Sequence, residues 1–245
     1  VINFAPILVE NQLPLNELIR SLLKACETVA DVSVEIEFAV RFDSLSKDTR
    51  PTFGFLQVRP MVVSRESVEI QPAELIGSNV LLVSQNVMGN GVRNDIADIV
   101  YVLPDRFETM KTKIIAEELA GINQDLLSQK RPYLLIGFGR WGSSEPTLGI
   151  PVDWSDISGV KAIVEAALPS FMFEASQGSH FFHNISSFEV YYFSLLRSEQ
   201  NNLDWSWLNE QFPKTETSFV RHVQLKSPLR IKVDGRTGKG VILKS

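Results

Sequence analysis

The chain has 245 residues, 44% of them hydrophobic, and its 24 Lys and Arg against 29 Asp and Glu give a net charge of −5. That length and apolar content suit one large domain or two modest ones with a buried core, which excludes a disordered chain. An acidic balance without a basic, aromatic-interleaved stripe excludes a nucleic-acid surface, and a single cysteine, Cys26, excludes a disulfide framework or thiolate metal cluster.

Ile2–Val9 alternates loosely and reads as a strand, with a turn over Asn11–Pro14. Leu15–Val29 reads as an amphipathic helix, because Leu15, Leu18, Ile19, Leu22, Leu23 and Cys26 recur at spacings of three and four and form one core-facing stripe. Val32–Val40 then switches to period two. Its apolar face carries Val32, Val34, Ile36, Phe38 and Val40, and Glu35 and Glu37 project together from the other. A polar connection, Asp43–Arg50, leads to Phe53–Val58, so an antiparallel hairpin is expected, ended by Pro60.

Short strands follow, broken by Gly77, Gly89 and Gly91, with Val80–Val83 and Ile99–Val102 the clearest. Arg106–Leu127 reads as the longest helix, capped by Asp105, and feeds a buried strand at Tyr133–Phe138, the pattern of an α/β unit. A glycine-rich loop, Gly139–Asp153, precedes a helix predicted over Val160–Ala167 with Ser155 or Asp156 as its cap. Phe188–Leu196 reads as a strand, Leu203–Phe212 as a short helix and Phe219–Leu225 as a strand. Leu229–Val233 and Val241–Leu243 form a closing hairpin. The expected fold class is α/β (α+β), mixed sheets flanked by helices. The domain boundary is placed between Val62 and Asn79, dividing residues 1–65 from 66–245.

No apolar run approaches the ~20 residues that span a bilayer. No membrane partner is expected, and the lone cysteine fits a reducing cytoplasm. A start at Val1, without a methionine or charged leader, is expected of a piece of a longer polypeptide.

Three features carry possible chemistry. Glu37 on the first hairpin strand, with Gln57 and Arg59 on the second, can line one sheet face, where a carboxylate holds Mg²⁺ and a guanidinium meets phosphate. The same pattern also fits a solvated hairpin face. The run Gly137-Phe138-Gly139-Arg140-Trp141-Gly142-Ser143-Ser144 can hold an anion, since glycines let the backbone approach and Arg140 adds charge. It equally fits a tight loop packed by Trp141. His180, after Gln177-Gly178-Ser179, is a weak catalytic candidate, and His183 three residues on could join it at a metal. Asn94-Asp95-Ile96-Ala97-Asp98 reads as a turn or cap.

The pairing of Glu35-Ile36-Glu37-Phe38-Ala39-Val40 with Leu56-Gln57-Val58-Arg59-Pro60 resembles the end of the ATP-grasp region in pyruvate phosphate dikinases and phosphoenolpyruvate synthases. The resemblance covers about the first 62 residues, with Phe38 where many members have tryptophan and a longer linker between the halves. It implies that Glu37 binds Mg²⁺, that Gln57 and Arg59 contact the phosphates of ATP, and that the N-terminal domains of the same polypeptide complete the site. None of His180, His183 or His222 lies in the Gly-Gly-x-Thr-Ser-His-like setting of that family's phosphate-carrying histidine. A phosphoenolpyruvate-binding barrel needs about 250 residues. The chain alone is therefore expected to be inactive in phosphotransfer. Residues 133–152, 176–182 and 233–238 resemble the C-terminal extension of large bacterial phosphoenolpyruvate synthase-like proteins, for which no role is implied. The alternative expectation is a non-catalytic anion- or ligand-binding scaffold using Gly137–Ser144 and His180.

Overall fold

A hairpin and a helix open the chain, and a larger mixed sheet follows. The computed structural model describes residues 5–11, 13–41, 51–60, 67–143, 145, 147–168, 185, 187–195 and 202–245. The chain divides into two compact units, Val1–Val63 and Ser64–Ser245. Among the described residues no helix is long and apolar enough to cross a membrane.

The first unit contains α1 (Ala5–Leu8), α2 (Leu15–Ala30), β1 (Val34–Arg41) and β2 (Thr52–Pro60). The strand expected over Ile2–Val9 is corrected: its described part is a helical turn, and four residues of loose alternation carry too little period to decide between the two. Helix α2 ends at Asp31, a left-handed residue (φ 54°) whose N–H donates to the Glu27 carbonyl. Its apolar stripe packs toward β1 but is only half-buried, with Leu18 exposed and no residue fully buried, so the expectation of a core stripe overstates its burial. Strands β1 and β2 pair antiparallel. On their apolar face Phe38 stacks on Phe53 with ring centroids 5.2 Å apart.

Among the described residues the second unit is built on a nine-stranded sheet in the order β3-β13-β12-β5-β6-β9-β10-β4, with β11 paired to β12. Its strands are β3 (Val80–Ser84), β4 (Val87–Met88), β5 (Gly91–Val102), β6 (Tyr133–Phe138), β9 (Val160–Ala166), β10 (Tyr191–Ser194), β11 (Pro213–Glu216), β12 (Val220–Asp234) and β13 (Lys239–Leu243). The two-residue strands β7 (Arg140–Trp141) and β8 (Gly149–Ile150) form a separate parallel pair. Strands β5, β6, β9 and β10 run parallel, and the other pairings of the large sheet are antiparallel. The fold is therefore mixed α+β. Helix α3 (Thr112–Ser128) links β5 to β6, and its Asn123 bonds the Tyr133 hydroxyl. Helix α4 (Trp205–Glu210) lies on the opposite face, where Trp205 packs on Tyr101 and Phe138.

Four further sequence expectations are corrected here. Val160–Ala166 is a strand, not a helix: it lies between β6 and β10 with both faces covered, which removes the period-two signal, and its Val160, Ile163 and Val164 suit a pleated surface. Asp153, not Ser155 or Asp156, caps the 3₁₀ turn Trp154–Ile157 before it, while the Asp156 carboxylate accepts from the Asp153 N–H at 2.8 Å. Helix α3 begins at Thr112 after two 3₁₀ turns, so Asp105 does not cap it. The runs Phe219–Leu225 and Leu229–Val233 belong to one strand, β12. Its register against β5 jumps from Gln224 opposite Asp98 to Leu229 opposite Ile96, and Lys226, Ser227 and Pro228 take up the slack. Pro228 has no N–H for a ladder there.

Candidate functional site

The β1–β2 ladder brings four polar side chains onto one face. Glu37 stands opposite Gln57 and Glu35 opposite Arg59. Directly opposed side chains on one antiparallel face have Cβ atoms about 4.5–5.5 Å apart. Glu35, Glu37 and Gln57 are exposed and Arg59 is half-buried. The Arg59 guanidinium donates to the Gln57 amide oxygen at 2.6 Å, so the two β2 residues act together. Between Glu37 and Phe38 the register shifts, because Phe38 pairs with Phe55 and leaves Leu56 as an extra residue. Such a bulge strengthens local twist and re-aims the adjoining side chains.

Two carboxylates, an amide oxygen and a guanidinium suit a metal-bound phosphate. Mg²⁺ is commonly held by one or two carboxylates, keeping waters and phosphate oxygens as its other ligands. The pair Glu35 and Glu37 could meet that demand, while the Gln57 oxygen is engaged by the Arg59 guanidinium. Among the described residues, no group of three or more His, Cys, Asp or Glu side chains could form a self-sufficient metal cage.

The glycine-rich loop of the second unit is organised by packing. A Cβ on Gly137 would lie 2.5 Å from Cζ2 of Trp141, so this glycine makes room for the indole. Gly139 takes a left-handed φ of 74°, which turns the chain from β6 into β7. The Arg140 N–H donates to the Leu148 carbonyl at 2.8 Å and the Gly142 N–H to the Ile150 carbonyl at 2.9 Å. Those two amides are engaged within the loop rather than presented to an anion. The Trp141 indole is buried, and its N–H finds no acceptor among the described residues. His180 and His183 lie outside the described residues.

Two buried polar groupings were not identified from sequence. Asp98 on β5 is 1% exposed and joins His222 on β12 (2.7 Å to Nε2) to Arg131 before β6 (2.8 Å to Nε). This corrects the reading of Asn94–Asp98 as a turn or cap: the segment is the middle of β5, where Asp95 also pairs with Arg93 at 2.7 Å. The other is Glu165 on β9, fully buried, whose carboxylate accepts from the Tyr192 hydroxyl. A lone acid inside the apolar run Val160–Ala166 was the visible signal for Glu165. Asp98 and His222 are 124 residues apart, and nothing in one sequence pairs them.

Comparison with protein-family models, with curated proteins and with solved structures finds no match to this chain.

Proposed function

We propose that the first unit forms one wall of a Mg²⁺·ATP site in a phosphotransferase resembling phosphoenolpyruvate synthases and pyruvate phosphate dikinases. Upstream domains of the same polypeptide complete that site, and the chain by itself is inactive in phosphotransfer. The observation that carries the reading is the ladder register, which sets Glu37 against Gln57 and Glu35 against Arg59 on one open face. In this reading Glu37, aided by Glu35, holds the metal, and Arg59 meets a phosphate with its planar fork while Gln57 keeps that fork in place. The ion would supply neutralisation of phosphate charge. The residues supply position, since a guanidinium braced by a neighbouring amide loses less freedom when it binds.

Calorimetric titration of Mg²⁺·ATP into the chain and into Arg59→Ala and Arg140→Ala variants tests this. The expected result is weaker binding by about tenfold or more for Arg59→Ala, the loss of a charge-assisted hydrogen bond, with Arg140→Ala unchanged. Binding that survives Arg59→Ala and disappears in Arg140→Ala would overturn the reading.

A further inference from the structure

The second unit contains a cavity of about 240 Å³ at the N-terminal end of β9. Trp154 and Phe188 form its aromatic wall, with ring centroids 5.6 Å apart and planes tilted by 53°. Ile157, Val160 and Val190, each no more than 2% exposed, line its apolar floor. Ser155 and Ser158 supply its polar rim, and among the described residues no ionisable side chain lines it. We infer that this cavity binds a small, uncharged aromatic molecule of one or two rings.

Size, shape and charge each support that class of ligand. An apolar core cavity of roughly 150 Å³ takes up benzene, so this one has room for a fused pair of rings. Tilted aromatic walls favour another π-system over a branched aliphatic chain. A charged group seated against Ile157, Val160 and Val190 would lose water there and gain no counter-charge from these apolar residues, which disfavours phosphates and carboxylates relative to an uncharged ring.

The walls are also held from outside. Asn123 donates to the Ser155 carbonyl at 3.1 Å and accepts from the Gly159 N–H at 2.9 Å, which fixes the 3₁₀ turn. On the other side Lys161 donates to the Phe188 carbonyl at 3.2 Å, and the Val190 N–H donates to Ile185 at 3.0 Å. A site braced in this way is preformed, so little of the binding free energy is lost to ordering it.

The test is an amide-resolved NMR titration of the chain with indole, and with indole-2-carboxylate as the charged counterpart. Expected are saturable shifts confined to residues 154–160 and 187–190, and indole binding weakened at least about tenfold by Ser155→Phe, which fills the cavity, and by Phe188→Ala, which removes its aromatic wall. The carboxylate should bind at least about tenfold more weakly than indole. Phe188 is 52% exposed, so its truncation leaves the core intact and decides the matter even where Ser155→Phe disturbs folding. The inference is overturned by unsaturable indole shifts, by shifts elsewhere, by unchanged affinity in Phe188→Ala, or by a carboxylate that binds as tightly as indole.

Discussion

Glu37 of β1 faces Gln57 of β2 across the antiparallel ladder, one residue before a bulge that sets Leu56 outside the pairing. The relationship places the acid and the amide on the same side of the sheet as Glu35 and Arg59, and solvent reaches both. Replacing Glu37 by Gln removes the charge and keeps the shape. The expected outcome is a loss of Mg²⁺-dependent ATP affinity of about 10–100-fold, while an exposed site keeps folding stability within about 0.5 kcal/mol. Calorimetry with and without Mg²⁺, beside a thermal melt, reads both quantities. A variant whose affinity changes equally with and without the metal would remove the assigned role from Glu37.

The glycines of the second unit separate into positions with space and positions without it. A Cβ on Gly149 would sit 1.9 Å from the backbone oxygen of Arg140, which cannot yield, whereas one on Gly137 would meet the ring of Trp141 at 2.5 Å. Gly121, inside α3, has nothing within 4 Å of its added Cβ. Gly121→Ala should therefore stabilise by about 0.5–1 kcal/mol through helix propensity. Gly137→Ala should destabilise by about 1–3 kcal/mol through overpacking, and Gly149→Ala by more. Urea unfolding of the three variants checks the order.

How far the sequence was legible follows from which periodicities survive burial. The hairpin was readable because Val34, Ile36, Phe38 and Val40 alternate with exposed acids, so one solvated face wrote its period into the chain. Tyr133–Phe138 was readable as well, since Tyr133 follows Pro132 and the run is too short for a helix. Val160–Ala166 was misread because a strand covered on both faces loses that alternation. Among the candidate residues, the shared face of Glu37, Gln57 and Arg59 was recoverable from strand parity, but the bulge at Leu56 was not. The cluster of Asp98, His222 and Arg131 could not be read, because its members meet only when β5, β12 and the start of β6 lie side by side.

That cluster carries a stability prediction. Asp98 accepts from Arg131 on one oxygen and meets His222 on the other, and its side chain is 2% exposed. Asp98→Ala leaves the buried His222 without its acid and takes the carboxylate from the partly exposed Arg131, and removing one member of a buried ion pair costs about 3–5 kcal/mol. Asp98→Asn should cost less, because an amide oxygen still accepts from one of them. Arg131→Ala should also cost less, since the Arg131 side chain is 31% exposed and water compensates part of the loss. Denaturant midpoints for the three variants give the ranking, and equal effects from Asp98→Ala and Arg131→Ala would count against a shared buried acid.

Acid should destabilise the second unit through two lysine-paired carboxylates. The hydrogen bond from Lys232, at 2.7 Å, holds Glu74 below its ordinary range against the opposing effect of burial. Lys244, at 2.5 Å, does the same for Asp204, which also caps α4 by accepting from the Trp207 N–H. A carboxyl whose folded pKa is depressed contributes stability that is present above its unfolded pKa and is lost as pH falls through the folded value. The contribution is therefore intact near neutrality and declines below about pH 4.5, the upper of the two ordinary values. Lys232→Met removes the cation that depresses Glu74, so the folded and unfolded pKa values converge and the acid limb flattens. Lys244→Met should flatten it likewise through Asp204. Unfolding free energies measured from pH 7 down to about pH 3 should show parallel lines above pH 5 and a shallower decline in each variant below it. A decline as steep as that of the wild type in both variants would assign the acid sensitivity to other carboxylates, Glu216 beside Arg221 first among them.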